Sequence, residues 1–78
     1  LLVNVALEAA EEKTIAQIAE REFVVRDAML AVMGAKTVPE LADIAQRAAL
    51  KDTLRMEINK VIDEGKVERF YFTQYVMQ

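Results

Sequence analysis

With no His, no Cys and no Ser among its 78 residues, this chain leaves its chemistry to carboxylates, amines and a few hydroxyls. Glu8, Glu11 and Glu12 lie close together, and two carboxylates flanking a bond can divide the acid and base work of a glycosidase. The same residues open a helical pattern, where acid in the first turn favours the helix dipole. They are assigned no catalytic role. Asp63-Glu64-Gly65 is a second acidic cluster. Calcium loops space their oxygen ligands over a longer turn, and a solvated helix end accounts for this one. Thr14, Thr37, Thr53 and Thr73 neighbour no base that would activate a hydroxyl. Zinc and most transition metals lack their usual imidazole and thiolate ligands. Gly34 and Gly65 are too few for a phosphate-cradling loop. No catalytic, cofactor-binding or metal-binding residue is assigned, and a non-enzymatic role is expected. Arg21 and Arg26 offer contacts to an acidic partner, although an exposed helix face explains them more simply. Met29, Met33, Met56 and Met77 are spaced as core or interface filler.

Composition narrows the classes further. A length of 78 residues allows one domain, and a domain this small buries only about 60% of the surface its unfolded chain exposes. Its core is thin, so partners matter. The hydrophobic fraction of 54% is too high for a disordered chain. Net charge is −3 with no dense Lys/Arg cluster, which argues against nucleic acid as a partner. Without cysteine the chain forms no disulfide and gives no redox clue. No run reaches the roughly 18–20 apolar residues of a membrane span, and no signal peptide is present. The first residue is Leu1, already inside a strand-like pattern. The chain reads as a piece of a longer protein.

The elements that must position any site are legible from periodicity. Residues 1–8 alternate as a strand, with Val3, Val5 and Leu7 on one face and Leu2, Asn4, Ala6 and Glu8 on the other. Residues 11–33 predict one long helix on Ile15, Ile18, Glu22, Val25, Met29 and Val32, with Glu22 the misfit and Phe23 beside it supplying the apolar bulk. It would be on the order of 35 Å long. Glu22 and Arg26 are spaced for an i,i+4 ion pair, and Gly34 predicts a left-handed stop. Thr37-Val-Pro-Glu40 reads as a capping box with proline in the first turn. The second helical stretch shifts phase near residues 46–49, from Leu41, Ile44 and Ala48 to Leu50, Leu54, Ile58, Val61 and Ile62. Two helices or one bent helix explain the shift. An unbroken helix would stack Arg47, Lys51 and Arg55 as like charges. Gly65 ends that stretch, and residues 67–77 form the last strand.

The order strand, helices, strand predicts an α+β fold. A small, mostly antiparallel sheet would be packed on one face by the long helix and a bent or broken second helical segment. Two strands make a marginal sheet. A third strand is needed, from residues preceding the chain or from a neighbouring subunit. The last strand is apolar on both parities, with Phe70, Phe72 and Val76 on one and Tyr71, Tyr75 and Met77 on the other. Helices cover one face. The second, with Tyr71, Thr73, Tyr75 and Met77, is expected to meet another chain or missing residues of the same chain.

Val67-Glu-Arg-Phe-Tyr-Phe-Thr-Gln-Tyr-Val-Met-Gln78 resembles the closing strand of the FliL family, which ends in an aromatic-Phe-Thr-polar-aromatic-Val-x-Gln pattern. The resemblance extends back through Leu54 to Ile62 with Asn59, Lys36-Thr37 to Glu40-Leu41, Arg26-Asp-Ala-Met-Leu30 and Leu2-Val-Asn-Val-Ala-Leu-Glu8. It covers nearly the whole chain at consistent spacing. The sequence departs from the family at residues 43–47, where a Pro-Glu-Gly-like turn is replaced by Asp43-Ile-Ala-Gln-Arg47.

The resemblance implies a single periplasmic domain over residues 1–78, without its N-terminal strand, linker and membrane span. It implies a fold like the stomatin-like SPFH domain and a single-pass bacterial inner-membrane protein. It also implies a scaffold that assembles into a homo-oligomeric ring around the flagellar stator of MotA and MotB and supports motor output and swarming. The interface residues expected on this reading are Arg21, Arg26, Tyr71, Thr73, Tyr75 and Met77. The alternatives are a generic SPFH-like membrane scaffold unrelated to motility and, against the residue inventory, a small-molecule-binding or enzymatic domain.

Overall fold

A computed structural model describes residues 2–77. The chain runs β1 (Leu2–Glu8), α1 (Glu12–Glu20), α2 (Glu22–Gly34), α3 (Val38–Ala42), a 3-10 turn (Ile44–Gln46), α4 (Arg47–Val61) and β2 (Arg69–Val76). Leu1 and Gln78 of the sequence reading lie outside the described residues. β1 and β2 pair antiparallel, as the element order predicts, in a two-stranded sheet. The fold class is α+β.

The helix layer differs from the sequence reading. The expected long helix breaks at Arg21, whose φ of −104° and ψ of 30° leave the helical region. The break falls beside the misfit at Glu22. It lets α1 turn a polar face inward: Thr14 and Gln17 are buried while Ile15 is exposed. Gln17 explains why. Its Oε1 accepts from the backbone N–H of Asp63 at 2.7 Å and of Glu64 at 2.9 Å, and its Nε2 donates to Asp63 Oδ1 at 2.9 Å. One amide thereby satisfies the loop after α4, which would otherwise bury unpaired backbone groups. Arg21 adds bonds to the Val61 carbonyl at 3.0 Å and to Asp63 Oδ1 at 2.8 Å. Gly65 turns in the left-handed region at φ 78°, where a Cβ would collide with Thr14 Oγ1.

Gly34 is not the left-handed stop that its position suggested. It is the last residue of α2, and Gly65 is the described glycine with positive φ. The chain leaves α2 by tightening instead: Ala35 N–H bonds Val32 O at 3.3 Å and Lys36 N–H bonds Met33 O at 3.1 Å. The capping box then forms as read. Glu40 N–H donates to Thr37 Oγ1 at 3.2 Å and Thr37 N–H to Glu40 Oε1 at 3.0 Å. These bonds to Thr37, backbone first, hold the Glu40 carboxyl below its ordinary range. The second helical stretch is fully broken without Pro or Gly. Asp43 is extended at φ −75° and ψ 110°, and its Oδ1 accepts from Ala45 N–H at 2.9 Å. An aspartate side chain that bonds its own backbone two residues on is a turn former. The break displaces Ile44 from the core, leaving it 75% exposed.

The layering also differs. The helix that lies on the sheet is α4, and α2 packs on α4. α4 repeats Leu50, Leu54 and Ile58 at i,i+4, and Leu54 and Ile58 are fully buried. With Val25, Met33, Leu41, Ile62, Val67 and Phe70 they make the core. The radius of gyration is 12.5 Å, against about 11.5 Å for a compact domain of this length.

Gln17→Ala is expected to lower stability by about 2 kcal/mol, because the N–H groups of Asp63 and Glu64 lose their acceptor. A urea midpoint falling at constant slope checks it.

Candidate interaction surfaces

β2 settles which of its aromatic side chains are available. Val5 faces Phe72 and Asn4 faces Gln74, so Thr73 has no partner and the register shifts there. This is a β-bulge, two residues opposite one, and it reverses the parity of everything beyond it. Phe70 and Phe72 before the bulge, and Tyr75 and Met77 after it, all join the helix-covered side. Tyr71, Thr73, Gln74 and Val76 are exposed. The expected second face of Tyr71, Thr73, Tyr75 and Met77 is therefore corrected: the structure keeps Tyr71 and Thr73 outside and turns Tyr75 and Met77 inward.

The inward rings pack edge to face, Phe70 on Phe72 at 5.3 Å between centroids and Phe72 on Tyr75 at 5.1 Å. The Tyr75 hydroxyl donates to the Leu41 carbonyl at 2.6 Å, which ties β2 to α3. The Arg47 guanidinium lies 4.2 Å above the Tyr75 ring, a cation–π arrangement. Outside, the sheet pairs Leu2 with Val76, Asn4 with Gln74, Ala6 with Tyr71 and Glu8 with Arg69. Asn4 Nδ2 donates to Gln74 Oε1 at 2.7 Å. That face is mixed, not a continuous apolar patch.

The two arginines separate. Arg21 is committed inside the chain to Val61 and Asp63. Arg26 makes the predicted pair with Glu22 at 2.8 Å and stands at the rim of a cleft. α1 and α2 stand off from β1, and the gap is an open trough between Val5 and Leu7 on the sheet and Ile18, Val25 and Met29 on the helices. It continues past Leu2, Val3, Leu30 and Met33. Leu30 on this rim is 69% exposed, and Phe23 on the same helix is 85% exposed. Sequence reading missed this trough because α2 was expected to fill it. Leu30 fell outside the helical stripe, and that was the available signal; Phe23, expected to supply the apolar bulk missing at Glu22, instead points to solvent.

Among the described residues no group of three or more His, Cys, Asp or Glu converges to hold a metal ion. No described helix is long and apolar enough to cross a membrane.

Tyr75→Phe, which leaves the Leu41 carbonyl unpaired, is expected to cost about 1 kcal/mol, and Tyr75→Ala about 3 kcal/mol or more. Tyr71→Ala is expected to stay within about 0.5 kcal/mol. Equal costs at both tyrosines in chemical denaturation would contradict the bulge.

The model of the family described as flagellar basal body-associated protein FliL matches residues 1–78. The flagellar protein FliL of Aquifex aeolicus (strain VF5) is 32% identical over 76 residues, 97% of this chain and 47% of that protein. The flagellar protein FliL of Bacillus subtilis (strain 168) is 27% identical over 74 residues, 95% of this chain and 53% of that protein. The chain spans about half the length of these curated relatives. With its whole length matched, the chain belongs to the FliL family of flagellar basal body-associated proteins.

Proposed function

We propose that this domain is a non-enzymatic scaffold of the bacterial flagellar motor. Family membership gives the coarse statement, a flagellar role at the basal body. The finer reading follows the resemblance. The domain sits in the periplasm, tethered to the inner membrane by a span outside this chain, and assembles with copies of itself around the stator of MotA and MotB. The observation that carries it is the match over residues 1–78. Apolar surface left uncovered along β1 and α2 supports it, because exposed patches of that kind mark contacts with other chains. Tethering copies in one membrane plane raises their effective concentration, so contacts too weak to join free domains suffice there.

Of the six interface positions named from sequence, Arg26, Tyr71 and Thr73 are the ones that present their side chains for such contacts. Arg21, Tyr75 and Met77 act from within the fold, by holding it in shape.

The test uses the intact protein in its own membrane. Tagged MotB is purified after mild detergent extraction, and this protein is expected to come with it as a large complex. Arg26→Glu with Tyr71→Asp is expected to lower recovery about fivefold, equivalent to about 1 kcal/mol. Rings that form without the stator would overturn the motor reading, and so would recovery of neither rings nor stator.

A further inference from the structure

The flank of α4 beside the unpaired edge of β2 carries three cations that no carboxylate of the described residues pairs. Arg47, Lys51 and Arg55 recur at i,i+4 on one face of α4, and all three are half-buried. Among the described residues none of them forms an ion pair, whereas Lys13, Arg21, Arg26, Lys60 and Arg69 each do; Lys36 and Lys66 form none either, but both are exposed to water. Arg47 Nε is buried without a hydrogen-bond partner. Half-buried cations stacked at i,i+4 repel one another, and a chain of net charge −3 had acid to spare for them. Their lack of partners therefore asks for an anion from outside.

The position of the row says what form that anion takes. At one end Arg47 lies over Tyr75, near the close of β2. At the other, Asn59 continues the row four residues beyond Arg55. Its side chain takes both backbone groups of Val67, accepting from the N–H at 2.7 Å and donating to the carbonyl at 3.2 Å. Asn59 thus does just before β2 what a neighbouring strand would do. Between these ends the row runs antiparallel to β2, and a shallow concavity opens between Arg47, Lys51 and residues 71–75. β2 pairs with β1 on one side and with no described strand on the other. A free edge offers N–H and C=O groups to an extended peptide.

We infer that the free edge of β2 takes an extended acidic polypeptide segment as an added strand, with alternate carboxylates on Arg47, Lys51 and Arg55. The spacings agree. Arg47 to Arg55 spans eight residues of helix, about 12 Å, and Glu-x-Glu-x-Glu spans about 13 Å of strand. A nucleic acid is disfavoured as the occupant by the net charge and by the demand for backbone pairing along the edge. The inference does not depend on the stator reading, and its test is separate from that one.

The test measures fluorescence anisotropy of a labelled, capped peptide, Thr-Glu-Val-Glu-Val-Glu-Thr, with the intact protein in detergent. Binding is expected, weakened by salt. Lys51→Gln and Arg55→Gln are each expected to weaken it about fivefold. N-methylation of the edge-facing amides, or regrouping the same residues as Thr-Glu-Glu-Glu-Val-Val-Thr, is expected to weaken it at least about tenfold. Lys51→Glu with Arg55→Glu is expected to reverse the preference toward a peptide with Lys in place of Glu. That rescue separates lost charge from lost fold. Three outcomes would overturn the inference: no binding, equal binding of the regrouped or N-methylated peptide, or tighter binding of a single-stranded oligonucleotide of equal charge.

Discussion

The unpaired residue at Thr73 is the constraint on which the rest of the sheet depends. A strand reverses its side chains at every residue, so a uniform β2 would have to choose between Phe70 with Phe72 and Tyr75 with Met77. One extra residue removes the choice. All four apolar side chains reach the helix side, and the polar pair Thr73 and Gln74 stays in water. The hydroxyl of Tyr75 then meets the Leu41 carbonyl, and its ring receives Arg47. The sheet, the short α3 and the start of α4 are joined through this one side chain.

The helices answer a second constraint, which is polar. α4 carries the regular apolar row and takes the place on the sheet, leaving the loop after it at the domain's edge. Gln17 and Arg21 of the first helical segment close that loop through Val61, Asp63 and Glu64. Doing so turns α1 away from the face its apolar residues suggested, breaks the helix at Arg21, and opens the trough along β1. The exposed apolar surface and the internal hydrogen bonds are thus two sides of one arrangement. A domain this thin keeps its loops satisfied and leaves apolar surface open along β1 and α2.

Much of this was legible in the residues. Both strands, the alternation of β1, the capping box, the Glu22–Arg26 pair and the core row of α4 follow from spacing alone. So did the break in the second helical stretch, although it falls at Asp43, a few residues before the phase shift, and therefore does not relieve the like-charge row Arg47, Lys51 and Arg55, which α4 keeps. The break at Arg21 was marked only by the misfit at Glu22, because its cause lies over forty residues away at Asp63. The bulge left a clearer mark than strict alternation admits: Phe70-x-Phe72-x-x-Tyr75-x-Met77 has one interval of three, and two polar residues fill it. Gly34 misled because a glycine after a helical run has two uses, and only the turn beyond it shows which. The surfaces were the least legible part. Exposure depends on which helix takes the sheet, and propensity does not rank helices for that place.

The register of β2 decides which side chains form the core and which face outward. The most direct measurement is disulfide formation between paired cysteines on the outer face under mild oxidation, in residues 1–78, which hold no other thiol. Asn4→Cys with Gln74→Cys is expected to cross-link readily, since these residues are direct partners and a bridge needs Cα atoms about 5.5–6 Å apart. Asn4→Cys with Thr73→Cys is expected to fail. The reverse result would mean a strand without the bulge, with Tyr75 on the outer face and both the core and the surfaces described here assigned wrongly.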